Sequence, residues 1–225
     1  MTETGRIALI VFLDANVLAK PVTRTLLMAA GPTSGYSTVW SRYTEDEADR
    51  HARPGQRPAS QVRALAGGEL TPTGSNAEQF VGTSVKDRQV LADAVAAGAV
   101  FIITEDVDDF GYDDLRSVGI TAVNPDLFMS IEVTSGAYRE ALDLMVQRFR
   151  APQRTVGQLH ARIGRAHPLT AHAQAAHYPD DEPMPATHNP PAELCRGDRC
   201  INCLQLTQTL TLGLCPKCAE HDSRK

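Results

Sequence analysis

The length, composition and charge of this chain limit the functions it can have. Its 225 residues, 42% of them hydrophobic and 22% charged, are enough for one sizeable core with an appendage. The formal net charge of −5 argues against broad, non-specific binding of nucleic acid. It is compatible with a cleft that contains a cation and binds a polyanionic substrate.

The cysteines and the first apolar run indicate a cellular location. Residues 7–13 are too few to span a bilayer and are not followed by a small-residue cleavage pattern. All five cysteines lie between Cys195 and Cys218, so no disulfide can form in the larger N-terminal part, as is usual in a reducing compartment. We therefore expect a cytoplasmic protein with no membrane partner.

The first predicted element is a buried β-strand. Residues 7–13 are continuously apolar, which is typical of a strand buried on both faces of a parallel sheet. Asp14 follows directly and marks the carboxyl end of this strand. A short helix is predicted next, over residues 22–30, with Gly31 ending it.

A second helix is predicted over residues 38–50. Within it Trp40, Tyr43 and Glu47 are spaced three and four residues apart, which places them on one helix face. Residues 54–68 contain several prolines and glycines, and no element is assigned to them.

The next elements repeat the alternation of helix and strand. Ser84 is expected to cap a helix that carries Asp87 in its first turn and stops at Gly98. Residues 100–103 then form a second buried strand, which an acidic turn follows. A third strand is predicted over residues 119–123. Strands that alternate with helices indicate an α/β sandwich with a mainly parallel sheet.

Helices are also predicted after the third strand. Tyr138, Leu142, Met145 and Phe149 form an amphipathic stripe. Residues 155–158 have the sequence of a capping box that opens a further helix.

The predicted domain organisation has four parts. Residues 1–135 form the α/β domain, and residues 136–176 form helices that pack on or beside it. Residues 177–194 are predicted to be an extended linker, because five prolines and almost no large aliphatic side chains lie between residues 178 and 193. Residues 195–225 form a separate cysteine module.

Acidic residues occur where a metal-dependent nuclease would need them. Asp14 and Asp106 follow two buried strands, and ligands of open α/β sheets collect beyond the carboxyl ends of strands. Carboxylates from distant parts of a chain repel one another unless a cation lies between them, and hard oxygen ligands suit Mg²⁺ or Mn²⁺. Such an ion can activate water and neutralise charge on a phosphodiester. The candidate site consists of Asp14, Glu47, Asp87 and Asp106 as acidic groups, with Asn16 and Thr104 as orienting side chains.

Each acid also has a structural interpretation. Asp87 stands at the capping-box position after Ser84, Asp14 could cap the following turn, and Glu47 alone would be a solvated charge. Asp93, well around the helix from Asp87, is interpreted as a surface residue. The functional interpretation is favoured because two buried strands are each followed by an acidic residue at the same edge of the sheet. The sequence has no phosphate-binding loop, dinucleotide fingerprint or serine-hydrolase elbow.

Five parts of the chain carry a family resemblance: residues 12–18, 40–47, 86–92 with 96–99, 103–110 and 119–126. They resemble PIN-domain ribonucleases, and in particular the VapC-type toxins of bacterial toxin–antitoxin pairs. The resemblance covers about residues 6–166 and implies an α/β/α sandwich, RNA cleavage that depends on Mg²⁺ or Mn²⁺, and inhibition by a small antitoxin. The family's acidic positions correspond to Asp14, Glu47, Asp87 and the turn at 104–110, in which Asp109 is the alternative to Asp106. A second copy of the chain is a further candidate partner.

The cysteine segment predicts a zinc site. Two C-x-x-C knuckles, separated by a short segment, have the spacing that suits tetrahedral Zn²⁺. A segment this short can hardly fold without a bound metal or another cross-link. We therefore expect a small zinc ribbon whose ligands are Cys200, Cys203, Cys215 and Cys218, with Cys195 and His221 as alternatives for one of them.

These patterns favour one function and leave two alternatives. The leading hypothesis is a divalent-metal-dependent endoribonuclease that acts as the toxin of a type II toxin–antitoxin pair, with the ribbon aiding RNA or partner binding. Because VapC-type toxins usually lack such a ribbon, a PIN and zinc-ribbon nuclease of RNA maturation is the first alternative. The second is a catalytically inactive PIN fold that serves as a binding module.

Overall fold

The computed structural model describes residues 9–148, 155–178 and 193–222. Phe149 of the predicted stripe and residues 179–192 of the predicted linker lie outside these ranges. Within them, no helix combines the length and the apolar composition needed to cross a bilayer.

One five-stranded sheet forms the centre of the described fold. The order of strands across it is β2-β1-β3-β4-β5. Strands β1 to β4 are parallel, and β5 pairs antiparallel with β4. The predicted α/β class with a mainly parallel sheet is therefore confirmed. The strands are β1 (Leu9–Leu13), β2 (Tyr36–Val39), β3 (Phe101–Ile103), β4 (Thr121–Val123) and β5 (Cys195–Arg196).

Helices connect the parallel strands and cover the sheet, because parallel neighbours require crossover connections. Single 3₁₀ turns occur at Ala77–Gln79, Val107–Asp109 and Ala175–His177. The helices are α1 (Ala15–Leu18), α2 (Pro21–Ser34), α3 (Arg42–Arg50), α4 (Ala59–Ala66), α5 (Arg88–Ala96), α6 (Tyr112–Val118), α7 (Pro125–Glu132), α8 (Ser135–Arg148), α9 (Val156–Ala166), α10 (Pro168–Gln174) and α11 (Pro216–Asp222).

Apolar side chains cover both faces of the sheet. Val11 and Leu13 of β1 belong to one core cluster, whereas Phe12 between them belongs to another. Phe101 and Ile102 of β3 also belong to different clusters, since successive side chains of a strand point to opposite faces. Two buried faces explain why these strands are continuously apolar in the sequence.

Helix α2 is longer than predicted. It continues through Gly31 to Ser34, and Gly35 caps it with a φ of 88°, a left-handed conformation that glycine adopts without strain. Gly31 has a packing role, because a Cβ there would lie 2.8 Å from the carbonyl oxygen of Tyr36. The prediction that Gly31 ends the helix was therefore wrong.

The second predicted helix begins later than expected. Its first predicted residues belong to strand β2, and α3 starts at Arg42 after a capping box formed by Ser41 and Thr44. The prediction that Trp40 shares a helical face with Glu47 was wrong, because Trp40 precedes the helix. Its indole N–H instead donates to the buried carboxylate of Glu45 over 3.0 Å.

The helix predicted from Ser84 also begins one turn later. Asp87 is the N-cap of α5, which starts at Arg88. The carbonyl of Ser84 accepts hydrogen bonds from the amides of Asp87 and Arg88 over 2.9 and 3.1 Å, so the intervening residues form a turn. The predicted N-cap role of Ser84 was wrong.

Asp93 is fully buried, which contradicts the predicted surface position. Its carboxylate accepts hydrogen bonds from the Gly74 amide at 2.7 Å and from the Gln89 side chain at 2.6 Å. The chain around Gly74 lies directly on α5, since a Cβ at Gly74 would come within 2.1 Å of the Ala92 carbonyl oxygen. Burial by a loop distant in sequence is not visible in the helical spacing.

The predictions for the later helices are confirmed within the described residues. Thr155 and Gln158 form the expected capping box at the start of α9. Tyr138, Leu142 and Met145 of the predicted stripe are buried on α8.

The cysteine segment joins the main sheet, which the sequence did not predict. Strand β5 lies at its start and pairs with β4. Ile201 is fully buried and belongs to the core cluster that contains Leu13 and Phe101. Gly213 packs on it, because a Cβ at Gly213 would lie 2.2 Å from Ile201 Cδ1. The segment therefore extends the hydrophobic core of the α/β domain.

Candidate functional site

The ends of β1 and β3 place two polar side chains next to each other. These strands are neighbours, and Leu13 pairs in register with Ile103. The next residues, Asp14 and Thr104, therefore leave the sheet side by side. The Thr104 hydroxyl donates to Asp14 Oδ2 over 2.7 Å, and both side chains are buried. We call the surrounding group the acidic edge; it comprises Asp14, Asn16, Glu47, Asp87, Thr104, Asp106 and Asp109.

Asn16 connects the two strand ends. Its amide nitrogen lies 2.9 Å from Asp14 Oδ2, 3.0 Å from Thr104 Oγ1 and 3.2 Å from Asp106 Oδ2. Its amide oxygen accepts from the Glu105 amide over 3.2 Å. Asn16 thus fixes the orientation of Asp14 relative to the turn that carries Asp106.

Asp14 is a buried carboxyl group near other negative charges. Burial raises its pKa to about 7, despite hydrogen bonds from the Thr104 hydroxyl and the Ala15 amide. The charges of Asp87 and Glu47 raise the pKa further. The bond from Ala15, at 2.6 Å, also makes Asp14 the cap of α1, so its structural role is present too.

Asp87 and Asp109 share a lysine. The ammonium of Lys86 lies 2.7 Å from Asp109 Oδ2 and 3.9 Å from Asp87 Oδ2. Burial raises the pKa of Asp87, against a hydrogen bond from Ser84 and the charge of Lys86; the charges of Asp109 and Glu47 add to the rise. Lys86 thus holds Asp87 and Asp109 beside each other, and the charge of Glu47 acts on Asp87.

The two candidates for the fourth acid face different neighbours. Asp106 is exposed and is bonded to Asn16, which links it to Asp14. Asp109 is half-buried and is paired with Lys86, which links it to Asp87. Both lie at the acidic edge, and neither is excluded by its position.

The donor types at the acidic edge fit Mg²⁺ or Mn²⁺, but the carboxylates are not tightly clustered. In the described ranges, no three acidic side chains have oxygens within 4.8 Å of one another. Oxygen ligands at about 2.1 Å from Mg²⁺ lie no more than ~4.2 Å apart, although one or two carboxylates with water can suffice. Binding an ion between three of these acids therefore requires side-chain rotation.

Sequence reasoning missed two side chains at this edge. The hydroxyl of Tyr43 donates to the carbonyl of Lys86 over 3.0 Å. Burial raises the pKa of Tyr43, and the charges of Glu47 and Asp87 raise it further. The ammonium of Lys86 is an internal counter-ion for them. The spacing of the sequence placed Tyr43 on the helix face of Glu47, but it does not indicate the direction of Lys86.

Two buried carboxyl groups are expected to lower the free energy of unfolding of the metal-free protein as the pH rises from 6.5 to about 8. Burial raises the folded-state pKa of Asp14 from 3.8 and that of Glu132 from 4.5, each to about 7. The folded state therefore holds protons that the unfolded state has released, and stability falls as they leave. Each carboxyl costs on the order of 1 kcal/mol over this interval, which urea unfolding in chelator can measure.

Two controls assign this pH dependence. Burial lowers the pKa of His167, so this residue makes the protein more stable as the pH rises towards 6.5. This effect opposes that of the carboxyls, and the measurement therefore starts at pH 6.5. A backbone hydrogen bond from Cys218 lowers the pKa of Cys215 to about 7, which opposes the trend within the interval, so the carboxyl contribution is read from a variant. Glu132→Gln is expected to remove the contribution of Glu132, about 1 kcal/mol. A cation at the acidic edge would remove the share of Asp14. An identical pH profile for the unaltered protein and Glu132→Gln would contradict the raised pKa of Glu132.

Four cysteine thiols form a second candidate site, the four-cysteine cluster. Within the described residues they are the group of metal-ligating side chains whose ligand atoms all lie within 4.8 Å of one another. The Sγ atoms of Cys203 and Cys215 are 3.7 Å apart, and a tetrahedral Zn²⁺ with sulfur at about 2.3 Å needs ~3.8 Å. The Cys215 amide donates to Cys200 Sγ over 3.3 Å. The cluster, which consists of Cys200, Cys203, Cys215 and Cys218, could hold a metal ion such as zinc.

The two alternative zinc ligands lie outside this cluster. Cys195 is part of β5, where it pairs with Val123, and burial raises the pKa of its thiol to about 12. His221 is exposed near the end of α11. The cysteines that the spacing predicted are thus the ones brought together.

The acidic edge and the four-cysteine cluster are separate sites with different chemistry. Hard oxygen donors characterise the first and soft thiols the second. Comparison with protein-family models, with curated proteins and with solved structures found no match to this chain. Functional inference therefore rests on the geometry and chemistry of these two sites.

Proposed function

We propose that the chain is a divalent-metal-dependent endoribonuclease with a PIN-like fold. The observation that supports this most is the hydrogen-bonded network that joins Asp14, Asn16, Thr104 and Asp106 at the ends of β1 and β3. Ligand sites of open α/β sheets lie at such strand ends. The network uses residues of stretches that resemble PIN-domain nucleases.

The proposed roles follow from the surroundings of each side chain. Asp14 and Asp87 would hold Mg²⁺ or Mn²⁺, assisted by Glu47 and by one acid of the turn after Thr104. When bound, the ion would activate the attacking water and neutralise charge on the phosphodiester. Asn16 and Thr104 keep the Asp14 carboxylate in one orientation, and burial keeps bulk water from competing for it.

The resemblance to VapC-type proteins extends the proposal to a toxin of a toxin–antitoxin pair, with RNA as substrate and a small antitoxin as partner. A nuclease of RNA maturation is the second candidate. It is favoured by the attachment of the four-cysteine segment to the sheet through β5, which makes this segment part of the α/β body. Growth arrest that a neighbouring gene relieves would favour the toxin, whereas cuts confined to one precursor RNA would favour maturation.

The proposal is tested with purified protein and an end-labelled RNA pool. We expect discrete fragments with Mg²⁺ or Mn²⁺ and none after chelation, because the carboxylates alone cannot offset charge on the phosphodiester. Since a chelator also removes zinc, Mg²⁺ and Zn²⁺ are added back separately, and Mg²⁺ must be required for activity. Cleavage without divalent ions would contradict a metal-dependent nuclease, and no cleavage under any condition would favour an inactive binding module.

A further inference from the structure

Arg196 links the four-cysteine segment to the acidic edge. Its Nη1 donates to the carbonyl oxygens of Asp108 and Phe110, each over 2.9 Å. Its Nε donates to the Glu193 carboxylate over 3.0 Å, which fixes the plane of the guanidinium group. The carbonyls belong to residues 106–110, here called the acid turn, which carries both candidates for the fourth acid.

The acid turn is held from two sides. Between the two carbonyls bonded to Arg196, the carbonyl of Asp109 accepts from the Ser84 amide over 2.8 Å. Three consecutive carbonyls are thus fixed by groups outside the turn. The two hydrogen bonds within the turn are longer, at 3.1 and 3.3 Å. External donors therefore determine the conformation of the turn at least as much as its internal bonds do.

The position of Arg196 depends in turn on the four-cysteine cluster. Strand β5 has two residues, too few to stay paired without support. Cys200, a fully buried member of the cluster, follows four residues later. Gly197 lies so close to β4 that a Cβ would be 2.7 Å from Thr121 Oγ1. A metal held by the cysteines would fix this short stretch, since such knuckles have little core of their own.

We propose that Arg196 is a positioning residue through which metal binding at the four-cysteine cluster orders the acid turn and strengthens cation binding at the acidic edge. The part that concerns cation binding rests on the proposed nuclease function. Coupling between two sites is reciprocal, so a cation at the acidic edge strengthens metal binding by the cysteines to the same degree.

Hydrogen exchange in the full, zinc-loaded chain tests the first step. In Arg196→Ala the amides of Asp109 and Phe110 are expected to exchange about tenfold faster, because two hydrogen bonds from a charged donor are lost. Zinc-stripped protein should show the same increase. Arg196→Lys keeps a positive charge beside Glu193 but lacks the planar fork, so it should restore part of the protection.

Arg116→Ala is the matched control. Arg116 Nε lies 3.1 Å from Asp198 Oδ2, so this variant also loses a contact between the cysteine segment and the α/β domain, but not a bond to the acid turn. Exchange at Asp109 and Phe110 should stay at the unaltered rate. Equal acceleration in both alanine variants, or no acceleration in Arg196→Ala, would overturn the proposal. If Arg196→Ala fails to fold, amide exchange at Asp109 and Phe110 in the lysine variant and in the zinc-stripped protein tests the proposal instead. Unaltered exchange in both would overturn it.

Mn²⁺ titration tests the second step. Binding to zinc-loaded protein is expected to weaken about tenfold in Arg196→Ala and not to change in Arg116→Ala, as is usual when a group that orients metal ligands is removed. Equal Mn²⁺ affinity in both variants would overturn the coupling. If the unaltered protein binds no Mn²⁺, the nuclease proposal fails, whereas the exchange measurement still decides whether Arg196 orders the turn.

Discussion

Asp14→Asn is expected to reduce RNA cleavage at least about 100-fold, because the loss of groups that merely orient metal ligands already costs 10- to 100-fold. The carboxamide has nearly the shape of the carboxylate, but it carries no charge for a cation. Its NH₂ group would also face donors, since Oδ1 of Asp14 accepts from the Ala15 amide and Oδ2 accepts from Asn16 and Thr104. Initial rates with Mg²⁺ and Mn²⁺ measure the loss.

Two further variants make this result specific. Asp87→Asn should cause a loss of similar size if both acids hold the same ion. Asp143→Asn makes the same chemical change on the exposed face of α8 and should leave the rate unchanged. Circular dichroism and zinc content must be equal in all three proteins. An Asp14→Asn protein that is folded and fully active would remove Asp14 from the catalytic site.

Cys200→Ser is expected to abolish metal retention by the four-cysteine cluster. Cys200 is fully buried, and its sulfur accepts a hydrogen bond from the Cys215 amide, as a metal-bound thiolate commonly does. Serine cannot supply a thiolate. Since structural zinc contributes about 10–16 kcal/mol of apparent binding free energy in small domains, the described segment 193–222 should lose its ordered structure in this variant. Zinc content after dialysis against a weak chelator, and amide exchange in this segment, measure both effects.

Cys195→Ser is the matched control for that experiment. It removes a thiol from the same segment, but one that lies in β5 outside the cluster. We expect zinc retention at the unaltered level and a modest loss of stability from the half-buried hydroxyl, about 1 kcal/mol. Equal zinc loss in both variants would contradict the assignment of the four ligands.

The strands that could be predicted are those whose two faces are buried. Continuous apolar sequence identified β1 and β3, because both core clusters demand apolar side chains from them. Strand β2 was missed. It lies at the edge of the sheet, and its sequence Tyr-Ser-Thr-Val is partly exposed and runs into the start of α3. Pairing with β1, a contact between distant parts of the chain, determines its structure.

The candidate site could likewise be predicted only in part. Asp14 and Thr104 could be placed from sequence, since each follows a recognisable strand and parallel strands end at one edge of a sheet. The contacts of Lys86 with Asp109 and of Arg196 with Phe110 could not, because they join residues whose separation is fixed by tertiary packing. Charge and spacing indicate which residue types are present, whereas the direction of a long side chain depends on its neighbours in the fold.

The antiparallel pairing of β5 also matters for solubility. An open sheet edge presents unpaired amides and carbonyls to strands of other molecules and thereby promotes aggregation. Here Ala122 pairs with Arg196 and Val123 with Cys195, and the Asn124 amide donates to the Leu194 carbonyl over 2.8 Å. The outer edge of β4 is therefore covered for as long as the cysteine segment stays folded. Metal bound by the four cysteines would then protect the whole molecule from self-association through this strand.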